Sequence, residues 1–188
     1  MATNNQPVAL MIIDMQRGMS DPAAGERNNP DAEINIQRLL TEWRNAGWPV
    51  VHVRHISRTP GSPFWPGQSG AEFQPALAPL AYEHVVEKNV PCAFTQSGLE
   101  RWFHVRGIKR LVIVGVSTSN SVEATARTAG NLGFNSQVVA DATFTFAKQD
   151  YAGVYRSADE VHAMSLANLE GEYAAIGITE EVLTSIKG

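Results

Sequence analysis

Cysteine is almost absent: Cys92 is the only one in 188 residues, which excludes an internal disulfide and leaves no thiolate cluster for a structural zinc. Nor is there an excess of positive charge. Fifteen Lys and Arg stand against nineteen Asp and Glu, a formal charge of −4, and that balance supplies no field to gather nucleic acid or an anionic membrane. No apolar run approaches the length of a membrane span. The stretch MATNNQPVALMIID has no basic region before its apolar part and is too short for a signal sequence, so a cytoplasmic location is expected. A glycine-rich phosphate fingerprint is also missing after the first apolar run, which argues against a nucleotide-binding protein. No repeat, linker or low-complexity segment divides the chain. Its 44% hydrophobic content predicts one globular domain over residues 1–188.

What is present alternates between strand and helix patterns. Val8 to Ile13 is continuously apolar and ends at Asp14, the pattern of a central parallel strand covered on both faces. Pro30 suits a first helical turn, and Ile36, Leu39, Leu40 and Trp43 recur at helical spacing until Gly47 ends the helix. Further strands are predicted at 49–53, 84–87, 111–116, 137–140 and 174–178. Helices are predicted from Leu99 to Gly107, from Ser121 to Leu132 with Gly133 as cap, and after a capping box of Ser157 and Glu160, with a short one closing the chain. The expected fold is α/β: a doubly wound, mostly parallel sheet with helices on both faces, a three-layer α/β/α sandwich.

In such sheets the reactive crevice lies beyond the carboxyl ends of the strands. Asp14 ends the first strand, Lys88 ends the third, and Gly115-Val116-Ser117-Thr118-Ser119-Asn120-Ser121 joins the fourth to its helix. Each residue alone has a plainer reading. Aspartate after a strand commonly caps a turn, lysines are mostly solvated, and serine at a helix start usually caps it. The combination lifts the functional reading above these.

The chain carries ALMIIDMQ around Asp14, EKNVPCAF around Lys88, GVSTSNSVEATARTAGNLGF after the fourth strand, DATFTF at 141–146 and the SADEVHAMSLANL helix. This set resembles the isochorismatase-like, or cysteine hydrolase, family over nearly the whole chain. The resemblance implies an aspartate, a lysine and a cysteine acting together on an amide or related carbon–nitrogen bond, at positions matching Asp14, Lys88 and Ser121. It also implies a cis peptide at Val116-Ser117 and an oxyanion hole of amides near Ser117 and Ser121. A nucleophile there feels the positive end of a helix, a neighbouring lysine supports its anion, and the carboxylate accepts and returns the proton.

Serine departs from the family pattern. An alcohol is a far weaker acid than a thiol and needs a general base. A replaced cysteine, a natural serine branch and a site without covalent catalysis all fit the sequence. Cys92, four residues beyond Lys88, reads as a buried free cysteine rather than a substitute nucleophile. A metal site is not expected: Val50 stands where an Asp-x-His-x-x-His pattern would need its aspartate, and His52 and His55 point to opposite faces of their strand.

The proposed pocket takes Gln16, His55, Trp65, Phe144 and Phe146. The loop TPGSPFWPGQSGAEF has the composition of a lid or subunit contact. The expected activity is hydrolysis of a small amide-like or carbamoyl substrate with no cofactor. Isochorismatase-type vinyl-ether hydrolysis and silent small-molecule binding are the alternatives. By resemblance the protein is expected to be a homo-oligomer.

Overall fold

The computed structural model describes residues 7–187. Six parallel strands form one sheet: β1 Val8–Ile13, β2 Val50–His55, β3 His84–Lys88, β4 Arg110–Val116, β5 Asn135–Phe144 and β6 Ala175–Gly177. Their spatial order is β3-β2-β1-β4-β5-β6. Helices α1 Ala32–Ala46, α2 Leu99–Val105, α3 Glu123–Asn131, α4 Ala158–Leu169 and α5 Thr179–Lys187 connect or flank them. The fold is the α/β sandwich expected from the alternating pattern.

β1 shows why its sequence has no polar residue. Val8, Leu10 and Ile12 enter the core on one side of the sheet, packed with Ile36, Leu39, Leu40 and Trp43 of α1. Ala9, Met11 and Ile13 enter the core on the other side with Phe103, Val122 and Ala126. A strand with a helical layer on each face has no position left for a solvated side chain. Trp43, fully buried, also donates from Nε1 to the Val8 carbonyl at 2.8 Å, so its polar edge is satisfied.

The chain winds from β1 outward through β2 to β3, then crosses back to pair β4 on the opposite side of β1. The order therefore reverses between β1 and β4, the point where loops diverge and leave a crevice. Asp14 follows β1 and Ser117 follows β4, so both loops open at that switch point.

Several expected boundaries move. α1 begins at Ala32 rather than in the turn of Pro30, while Gly47 adopts the left-handed conformation expected of its cap, with φ 64°. The segment after β4 starts as a π-helical turn, Thr118–Val122, before α3 proper. β5 runs to Phe144 instead of ending at Ala140, because the pairing with β4 slips between Ile113 and Gly115 and then resumes. Asp141 sits in that irregular stretch, accepting from the amide and hydroxyl of Thr179 at 2.8 Å. A small antiparallel hairpin, Lys148–Gln149 with Tyr155–Arg156, has strands too short for any periodicity to reveal. On α4, Val161 and Leu169 are buried, whereas Met164 is exposed.

Gly115 is the tightest point of the sheet near the site. Its φ is 116°, and a Cβ there would collide with the Ile13 backbone. Gly115→Ala therefore combines a left-handed strain with overlap against backbone that cannot yield. Urea unfolding should show a loss of at least about 3 kcal/mol. A loss below about 1 kcal/mol would show that β1 and β4 do not need this close approach.

Candidate active site

Asp14, Lys88 and Ser121 meet inside the protein. Asp14 leaves β1 with φ 51°, a left-handed turn that a short polar side chain tolerates. Its amide donates to the Val53 carbonyl at 2.9 Å, which locks the turn onto β2. Lys88, the last residue of β3, reaches under β2's end and places Nζ 2.6 Å from Asp14 Oδ2 and 3.2 Å from Ser121 Oγ. All three residues are buried, with 1%, 4% and 6% of their surface exposed.

The electrostatics follow from that burial. Loss of water pushes the Asp14 carboxyl above the ordinary aspartate range, although Lys88, the Ser121 hydroxyl and His55 pull in the opposite direction. Asp14 Oδ1 has no hydrogen-bond partner among the described residues, so one carboxyl oxygen has capacity to accept a hydrogen bond. His55, half-buried at the end of β2, is held below the usual histidine range by burial and then by Lys88, against the pull of Asp14. A neutral imidazole thus flanks the pair at neutral pH.

Ser121 lies in the π-helical turn, whose wide closure brings the Asn120 and Val122 amides onto the Ser117 carbonyl at 3.0 and 3.1 Å. The Val116-Ser117 peptide is cis. No side chain caps the turn from within. It is held from outside instead: Thr145 Oγ1 lies 2.6 Å from Ser117 Oγ and 3.0 Å from Ser119 Oγ, and His162 Nδ1 lies 2.9 Å from Thr118 Oγ1.

Other predicted pocket residues divide. His55 and Trp65 are both half-buried, and it is Phe64, next to Trp65 in the chain, that meets the His55 ring edge-on at 6.2 Å. Gln16 is corrected from a substrate contact to a brace: Nε2 donates to the carbonyls of His55 and Ala71, and Oε1 accepts from the His55 amide. All its polar atoms are committed to backbone. Phe144 is corrected likewise, being fully buried in the core with the Arg27 guanidinium 3.3 Å above its ring. Phe146 packs on Phe144 at the edge of that core.

Cys92 is half-exposed rather than buried, and its thiol donates to Thr128 Oγ1 at 3.2 Å, while Ala93 is the buried neighbour. His52 turns to the opposite face from His55. Its Nε2 lies 2.8 Å from Glu83, a carboxylate also gripped by both ends of the Arg44 guanidinium. Its Nε2 is spent on that structural network, while Nδ1 has no hydrogen-bond partner among the described residues.

Sequence reasoning missed Thr118, Thr145, His162 and Asn28. Thr145 and Asn28 exchange hydrogen bonds through the Asn28 side chain and both backbones, a pairing of residues 117 apart that no local pattern signals. The segments DATFTF and SADEVHAMSLANL contained Thr145 and His162, but their neighbours are set by the crossing of distant loops. A cleft of about 700 Å³ lies beside the turn, lined by Ser119, Glu123, Lys148, Arg156, Val161 and Met164 among others. Ser119 links this cleft to the turn that carries Ser121.

Comparison with known proteins agrees with this geometry. The isochorismatase domain family matches residues 8–177. The isochorismatase family protein YrdC of Bacillus subtilis, itself uncharacterized, is 37% identical over 175 residues, covering 93% of this chain and 94% of that one. Maleamate amidohydrolase of Pseudomonas putida is 30% identical over 148 residues, 70% of this chain and 69% of that protein. A solved isochorismatase-family structure from Chromobacterium violaceum superposes with a TM-score of 0.94 at 47% identity, covering 98% of this chain and 95% of that one. With the fold, the switch-point crevice and the matching segments in agreement, the chain belongs to the isochorismatase family of hydrolases.

Proposed function

We propose that the protein hydrolyses a small amide-like or carbamoyl carbon–nitrogen bond through Asp14, Lys88 and Ser121, without a metal or organic cofactor. The observation that carries this reading is the single nitrogen, Lys88 Nζ, in contact with both the Asp14 carboxyl and the Ser121 hydroxyl in a water-poor interior. Asp14 takes the Ser121 proton as Oγ attacks the carbonyl carbon. Amides near Ser117 and Ser121 and the Lys88 nitrogen balance the charge that develops on the carbonyl oxygen. Asp14 then returns the proton to the leaving nitrogen, and water, deprotonated by the same carboxylate, releases the acid. The name of the related maleamate amidohydrolase supports amide chemistry.

His55 and Trp65 line the approach in this reading, with Phe146 as an outer apolar contact. The protein is taken to be cytoplasmic and to act on a small molecule. Self-association is supported by Tyr151, Val154, Tyr155 and Met164, apolar side chains left exposed on the hairpin and α4.

A second reading is favoured by the same carboxyl. Burial raises Asp14 toward its protonated form, and a protonated acid beside an unreactive alcohol suits vinyl-ether hydrolysis by protonation, with no covalent nucleophile. The two readings demand opposite forms of Asp14. For amide hydrolysis the carboxylate must be free, so kcat/KM rises with pH through the Asp14 titration, at a midpoint above the ordinary aspartate value of about 3.9. For vinyl-ether hydrolysis the rate falls through that same titration. A pH profile on an amide substrate with a rising acid limb is expected. A falling limb would transfer the site to the second reading.

Two substitutions test the roles directly. Asp14→Asn preserves shape and removes the base, and turnover of the best substrate from an amide panel should drop at least about 100-fold. Ser121→Cys introduces a nucleophile that ionises far more readily, and turnover on that panel should rise at least about tenfold. A folded Ser121→Cys protein with no gain on any amide would argue against an acyl-enzyme.

A further inference from the structure

Thr118 opens the turn that carries Ser121, and it is fully buried. Its hydroxyl has no partner in its own turn and none in α3; it meets His162, from α4, at 2.9 Å. That contact ties the turn to α4, an element 44 residues away in sequence. A neutral imidazole has one N–H and one lone pair. With the lone pair at Nδ1 the ring accepts from Thr118 Oγ1–H, and with the N–H there it donates to the same hydroxyl.

We propose that His162 is a positioning residue: through Thr118 it fixes the π-helical turn, and so the nucleophile at position 121, against α4. This rests on the reading of position 121 as the nucleophile and extends it to a residue that touches neither substrate nor any of the three site groups. The need is physical. A π-helical turn is closed by wide i to i+5 bonds and is less well determined than an α-helix. The nucleophile must nevertheless hold its place relative to Lys88 and the turn's amides to within a fraction of an ångström. Thr145 secures Ser117 and Ser119 on one side, and His162 secures Thr118 on the other. Burial also holds the ring below the usual histidine range, despite the opposing pull of Ala140 and Asp159.

The test reads the nucleophile directly and needs no substrate. In Ser121→Cys protein, the alkylation rate of position 121 by iodoacetamide is followed against pH by peptide mass mapping, which separates it from Cys92. The midpoint for position 121 should lie below an ordinary cysteine value of about 8.5. Adding His162→Phe, which fills the space but ends the hydrogen bond to Thr118, should raise that midpoint by about one unit. His162→Asn, whose amide presents an acceptor near the place of Nδ1, should restore it to within about 0.3 unit.

Thr118→Val, a change confined to the other end of the contact, should give the same rise, and joining it to His162→Phe should add nothing further. A midpoint that stays put in folded His162→Phe or Thr118→Val protein overturns the positioning role, and so does an additive double variant. An ordinary thiol titration in the Ser121→Cys parent overturns the nucleophile assignment itself, and with it the role of His162.

Discussion

The contact between Lys88 and Asp14 is the constraint around which the rest is arranged. Two ionisable groups placed at 2.6 Å with almost no exposure each give up water, and the pair holds only while both partners remain. Removing one would leave the other uncompensated in the interior, at a cost of about 3–5 kcal/mol. Much of the surrounding architecture serves to keep them facing each other. The Asp14 amide is fixed to β2, Lys88 is the last paired residue of β3 opposite His55, and Gln16 ties the loop after β1 to the end of β2. Gly115 lets β4 approach β1 closely enough for Ser121 to join them.

Serine at position 121 changes how that pair has to act. With a thiol, a nearby positive charge and a helix amino terminus suffice to produce the anion. An alcohol stays protonated under the same influences, so in the proposed reaction the carboxyl receives its proton during attack. The buried Asp14, shifted upward and left with one free oxygen, has the basicity for that task when unprotonated. The same shift makes it a competent acid when protonated. One environment therefore supports two chemistries, separated by the protonation state in which the enzyme works.

The fold was legible wherever burial imposes a period on one stretch of chain. β1 is apolar throughout because it faces two cores, α1 repeats its apolar residues because one stripe packs on the sheet, and the Ser157–Glu160 capping box forms as read. Asp14, Lys88 and Ser121 were legible because they follow such strands. Features made by distant segments were not. The slip in β5, the bond between His162 and Thr118, and the exchange between Asn28 and Thr145 join residues that share no local pattern. Gln16 and Phe144 illustrate the converse error. Each sits where a pocket residue would, yet backbone carbonyls claim the amide of one and Arg27 covers the ring of the other.

If the buried Asp14–Lys88 pair controls the chemistry of position 121, carboxyl-carbon NMR of Asp14 will register it. Protein carrying carbon-13 at aspartate carboxyls, assigned by loss of the signal in Asp14→Asn, is titrated with and without Lys88→Met. Because burial raises the Asp14 titration and Lys88 restrains that rise, the parent midpoint should lie above about 3.9. It should climb further when Lys88 is replaced. A midpoint at or below the ordinary value, or one that Lys88→Met leaves unmoved, would contradict the account.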